Sequence, residues 1–373
     1  AEISAETIGG QFYNLTIRGL GAGATVLTQP NGANLANFIN IPDYRDDILI
    51  EGIEFDGNGL NQAIQPTFIR MYRCFRCTIQ DNVFRNQAAV PGPNSSIAFT
   101  ATTEDLIIAQ NRFISAGPVS NESGGLGTTA RVIITENFFS QYNRAWGAVG
   151  GAVSDFIITN NIFTDGLPGG MTIDIAAARN VLISGNIMDG MIHAQSAGGA
   201  DPGRIIITQN QVLNPSETGI QVTAGVGSED TAVIIAQNIV LNAGEAIPGK
   251  GAIALNPSSG RSSYANSIIA DNIIIKSAGG GISVEWVDYP LIQGNQIRNA
   301  SQSAHNTYDA IILVGTVRYP SVVNNVIIDT GEKRARYAIN IGSGTYGALV
   351  QGNQMSGQAT KAVMDAGVQR KWY

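Results

Sequence analysis

The chain has 373 residues, of which only 14% are charged, and a formal net charge of −7. That balance argues against nucleic acid as the main partner, and no apolar run is long enough to span a membrane. Its 44 glycines fit many short elements joined by turns.

Residues 1–12 are read as a partial N-terminal cap, and the repeating pattern starts just after them. An asparagine closes successive apolar segments, as in Ile107-Ile108-Ala109-Gln110-Asn111 and Ile206-Ile207-Thr208-Gln209-Asn210. The series runs Asn82, Asn111, Asn137, Asn161, Asn186 and Asn210, then Asn238, Asn272, Asn295, Asn325 and Asn353. Between Asn111 and Asn210 the steps are 24 to 26 residues, a period that marks a solenoid. Leu20 and Ile53 hold the same slot earlier, so the series of stacked amides is expected to begin at Asn82. Apolar residues alternate or form short β-branched blocks, never at a 3.6-residue period, so the units are strands.

A second strand precedes each asparagine. Ile69-Arg70-Met71, Ile173-Asp174-Ile175 and Ile282-Ser283-Val284 each begin 13 residues before theirs. Each coil therefore reads as strand, turn, strand, asparagine bend, short strand and loop. The fold expected is an all-β parallel β-helix of about a dozen coils forming a single domain over residues 1–373, with 368–373 as a tail. The asparagine is expected both to tolerate a left-handed bend and to link to its copies above and below. Cys74 and Cys77 are read as small buried residues beside a turn, a local disulfide being the alternative. No Cys/His set has metal-ligand spacing, and neither a metal nor a cofactor is expected.

This pattern resembles the right-handed parallel β-helix, or pectin-lyase-like, superfamily over roughly residues 10–367. That superfamily holds polysaccharide lyases, glycoside hydrolases, epimerases and phage tailspikes. The resemblance implies a saccharide groove along the first strand of each coil and, by likeness to tailspikes and inulin-cleaving enzymes, a homo-trimer. The polygalacturonase Gly-His-Gly triplet is absent, and Asp201-Pro202-Gly203 lacks the histidine of the alginate epimerase element, so no one family is matched.

Residues between two inward apolar positions point outward, which lets the groove floor be read. The lane so obtained is Asn40, Arg70, Ala98, Gly125, Val149 or Ala148, Asp174, Gly198, Gln221, Ala254, Ser283, Ile312 and Asn340. Asp174 stands out, because aspartate is disfavoured inside strands and its lane neighbours are small. Asp165 is placed in the loop entering its coil, and Asp189 and His193 in the loop leaving it. Glycoside cleavage uses two carboxyls, and a histidine can relay a proton, so these four are the catalytic candidates. Tyr142, Arg144 and Trp146 form a loop suited to sugar stacking, with Glu217 and Gln221 one coil further on. A second cluster combines Glu285, Trp286 and Asp288 with His305, Asp309 and Lys276.

The function expected is an extracellular or phage-borne enzyme that cleaves a polysaccharide or oligosaccharide by hydrolysis or β-elimination. The alternatives are a non-catalytic carbohydrate-binding fibre or adhesin, and a structural surface protein.

Overall fold

The computed structural model describes residues 2–8, 11–41, 45–64, 66–87, 95–100, 103–122, 130–141, 149–151, 154–166, 171–196, 203–224, 231–244, 251–256 and 264–367. Apart from one short 3₁₀ turn at Gly59–Asn61, the regular structure among these residues is all strand. The protein is a parallel β-solenoid that divides into two compact units, Ala1–Ala177 and Ala178–Tyr373. No helix among the described residues is long and apolar enough to cross a membrane.

In the first unit, strand Glu2–Ile8 pairs antiparallel with Gln11–Arg18, and parallel stacking follows. The short strands Val26–Thr28, Glu54–Asp56, Val83–Arg85, Arg112–Ile114, Phe138–Ser140 and Ile162–Thr164 form one in-register ladder. From Glu54–Asp56 onward the middle residue of each is buried, and this produces a column of rings. Phe55, Phe84, Phe113, Phe139 and Phe163 stack with centroids 5.0, 4.9, 4.4 and 4.7 Å apart. In the second unit the inward column is aliphatic, with Met188, Val212, Val240, Ile274, Ile297 and Ile327, all at most 1% exposed.

The asparagine ladder begins at Asn82, as expected, and its geometry is the same in both units. Within each unit, a ladder oxygen with an asparagine before it accepts twice from that asparagine, from backbone N–H and side-chain N–H. Asn82 donates to Asn111 Oδ1 at 3.0 and 3.1 Å, and Asn210 to Asn238 Oδ1 at 3.0 and 2.9 Å. Asn210 Nδ2 also donates to the Ile183 and Thr208 carbonyls at 2.9 and 3.0 Å. Ile53, in the slot before the ladder, donates its own N–H to Asn82 Oδ1 at 3.0 Å.

One expectation is corrected here. The left-handed bend belongs to the residue before the ladder asparagine, namely Asp81, Gln110, Glu136, Asn160, Gln209, Gln237, Asp271 or Asn324, with φ between 54° and 58°. Bend and amide are divided between two positions, so the ladder asparagine is held for its hydrogen bonds alone.

Cys74 and Cys77 are buried, and they are joined as a disulfide. A regular strand would turn residues three apart to opposite faces. The left-handed bulge at Arg76 (φ 53°) brings both inward.

Candidate functional site

Strand register defines the groove floor directly. In the first unit, Asn40, Arg70, Ala98, Ser120, Gly150 and Asp174 are successive parallel partners. In the second, His193, Gln221, Ala254, Ser283, Ile312, Asn340 and Met364 follow one another. Most of the expected lane is present. Three places differ: Ser120 replaces Gly125, Gly150 replaces Val149 or Ala148, and His193 replaces Gly198. In these coils the segment between the lane strand and the next asparagine is longer or shorter than in the others, so a fixed offset from that asparagine misses the lane. Gly125, Ala148 and Gly198 themselves lie outside the described residues.

Asp174 is half-buried in strand Met171–Ser184, between Ile173 and Ile175, both with no exposure. Alternation therefore turns its carboxylate outward, and its register partner Gly150 adds no side chain beside it. Asp165, in the same unit, sits at a left-handed corner (φ 52°) after strand Ile162–Thr164, where Gln141 and Ser115 occupy the equivalent corners. Its Oδ2 lies 3.4 Å from Ser140 Oγ, the hydroxyl donating. Further along this lane, Glu122 pairs with Arg70 at 2.9 Å, and the Arg70 guanidinium lies 5.1 Å from the Tyr72 ring centre.

In the second unit His193 belongs to strand Met191–Ser196, not to a loop, because only Asp189 and Gly190 separate that strand from Ile187–Met188. His193 Nε2 is 3.0 Å from Thr223 Oγ1. Gln195 pairs with Thr223 one step along, as His193 pairs with Gln221, and all four side chains are half-buried and outward. Gln195 and Thr223 were not among the sequence candidates. The matching segments Ile192-His193-Ala194-Gln195 and Ile220-Gln221-Val222-Thr223 carry the same apolar–polar alternation and would have revealed them. Asp189 is half-buried at the two-residue turn, and Glu217 is exposed in the turn between Asn214 and Gly219. Tyr142, Arg144 and Trp146 lie outside the described residues.

The lane is not open throughout. Ala254 and Ser283 have no exposure, and Ser283 Oγ accepts the Gly251 N–H at 3.1 Å. Beyond them, the second cluster is largely committed to structure. Glu285 Oε1 accepts from Trp286 Nε1 at 2.9 Å. Asp309, 3% exposed, accepts from Arg336 Nε and Nη2 at 3.0 and 2.7 Å and from Asn340 Nδ2 at 2.7 Å. The hydrogen bond to Asp309 raises the already high pKa of Arg336. His305 is exposed, and its Nδ1 accepts the Arg334 N–H at 3.3 Å.

Solved structures share this fold. The A-module of the mannuronan C-5 epimerase AlgE4 of Azotobacter vinelandii matches with a TM-score of 0.53 at 13% identity, over 98% of this chain and 86% of that one. Tailspike protein 3 of bacteriophage CBA120 matches at 0.61 and 12%, over 93% of this chain but 56% of that one. The Agl-KA catalytic domain matches at 0.57 and 12%, over 92% and 61%. Likeness at these identities shows the fold, a right-handed parallel β-helix. No family model matches the sequence, and no curated protein sequence does.

Proposed function

We propose that the protein is an extracellular or phage-borne enzyme that cleaves a polysaccharide along its lane, by hydrolysis or β-elimination, with Asp174 as the proton-transferring carboxyl. The observation that carries this is an outward carboxylate held between two fully buried isoleucines beside the bare backbone of Gly150. A floor of that kind leaves room for a sugar ring, and a fixed carboxyl is the group such cleavage requires. Asp165 is the second acidic candidate in the same unit. In the second unit we assign Asp189 and His193 as further candidates for proton transfer. Gln195, Gln221 and Thr223 are assigned to sugar hydroxyls, which neutral amide and hydroxyl groups suit. The fold likeness to a mannuronan epimerase, a tailspike and a catalytic domain supports a saccharide as the ligand. The Cys74–Cys77 disulfide supports an oxidising location.

A second reading, a carbohydrate-binding fibre without turnover, draws support from the structural commitment of Asp309, Glu285 and Asp288. Incubation with a panel of plant and bacterial polysaccharides separates the two. Release of reducing ends or unsaturated ends from at least one polymer is expected. Binding without either product from any polymer would favour the fibre.

A further inference from the structure

Two tyrosines in the second unit stand where the backbone should not want them. Strands Tyr264–Ala265, Val287–Asp288, Val317–Arg318 and Thr345–Tyr346 stack in parallel, and the residue after each turns a left-handed corner. Those corner residues are Asn266, Tyr289, Tyr319 and Gly347, with φ of 55°, 54°, 50° and 62°. Asparagine and glycine accept this conformation readily; a bulky aromatic does so only against a steric penalty. Pro290 and Pro320 follow the two tyrosines and restrict them further.

The strain gains no buried core. Tyr289 and Tyr319 are 53% and 54% exposed, with rings stacked 5.3 Å apart at an interplanar angle of 13°. A Cβ on Gly347 would lie 2.5 Å from Tyr319 Cδ1, so the glycine in the next coil is what lets the ring lie flat over the surface. Beside the rings, Arg318 Nη1 pairs with Asp288 Oδ2 at 3.3 Å, the arginine half in solvent. Strain kept where it does not serve packing points to a function.

We propose that Tyr289 and Tyr319, with the Asp288–Arg318 pair, form a platform on the second unit that binds a saccharide chain. Exposed rings take the C–H faces of sugars, and the fixed ion pair takes hydroxyls. The apolar area is two rings wide, which suits a chain of sugar rings and falls well short of a protein–protein interface. The choice of a saccharide rests on the polysaccharide reading of the lane, although the platform is built without any lane residue.

The test is electrophoresis of the folded protein through native gels containing xylan, dextran, alginate or hyaluronate, with melting temperature and turnover measured in parallel. The double variant Tyr289→Asn/Tyr319→Asn places a left-handed-tolerant residue at both corners. Retardation of the parent by at least one gel is expected. The double variant should bind that polymer about ten-fold more weakly, at an equal or higher melting temperature. Retardation of the parent by none of the gels would overturn the proposal. So would equal retardation of the variant, or a clear drop in its melting temperature, which would make the rings structural. Tyrosine-dependent retardation without turnover on any polymer would sustain the platform while removing the enzymatic reading of the lane.

Discussion

Replacing Asn210 with alanine removes three kinds of contact at once: two accepted N–H bonds from Asn186, a donated bond to Asn238, and two bonds to carbonyls. The Asn186 N–H groups are then left facing a methyl in a fully buried site. With roughly 1–3 kcal/mol for each stranded polar group, Asn210→Ala should lose about 3 kcal/mol or more. Denaturant unfolding checks this, and a loss below about 1 kcal/mol would mean the ladder relaxes around the gap. The ladder was legible in the sequence because its side-chain chemistry has no substitute. The left-handed bend was not, since Asp81, Gln110, Glu136 and Gly185 all fill it. A backbone requirement met by so many residue types leaves no signature, and the bend was consequently credited to the asparagine.

At the scale of the strand, the interior was easier to foresee than the groove. Inward residues repeat as Ile, Val, Phe or Met in the buried short strands, whatever the turns between them do. In the first unit this gives the ring column, and Phe113 lies between Phe84 and Phe139 with no exposure. Phe113→Ala should therefore cost about 3–5 kcal/mol, through lost burial and a cavity between two rings that cannot close together. The same change at Ile162, 41% exposed on the outer face of the same ladder, should cost under about 1 kcal/mol. Thermal melts of both variants check the contrast. The lane strands were less legible, because the segment between them and the next asparagine varies in length. Ile173, next to Asp174, keeps the 13-residue offset from Asn186, while Val119–Asn121 and Met191–Ser196 come early in their coils. Hence a fixed offset passes over Ser120 and His193, which carry no unusual residue type to mark them as lane positions.

For the whole chain, charge acts mainly through paired carboxylates. Hydrogen bonds hold Asp47 and Asp105 below the ordinary carboxylate range, donated by Arg76 and Arg131 respectively, and Glu51 likewise by Gln80 and then Arg18. Their folded pKa values are depressed, so their stabilisation is full above the ordinary carboxylate pKa and is lost as pH falls through the folded values. Asp329 is opposite in sign. Burial raises its pKa, despite the N–H groups of Ala300 and Ala335 on its oxygens, so its contribution is full at low pH and lost as pH rises through the folded value. Among the described residues three such groups stand against one, which predicts a melting temperature that falls between about pH 7 and about pH 3. Asp329→Asn should make that fall steeper, and an unchanged slope would contradict the assignment.

Oligomeric state belongs to this scale too. We propose a homo-trimer, supported by outward isoleucines such as Ile107, Ile133 and Ile157, which line a groove of about 300 Å³ with Asp105, Arg131 and Asp155. Light scattering at micromolar concentration is expected to give three chain masses, and a clean monomer mass would remove the idea.

We propose that the carboxyl of Asp174 moves a proton during cleavage of a saccharide chain, and turnover by Asp174→Asn measures this most directly. The substitution keeps the side chain's shape and removes its titrating proton. On the polymer that the parent depolymerises, the account predicts a fall in rate of about 10²–10⁴, with polymer binding and melting temperature retained. Turnover equal to that of the parent, in a variant that melts at the parent's temperature, would contradict it.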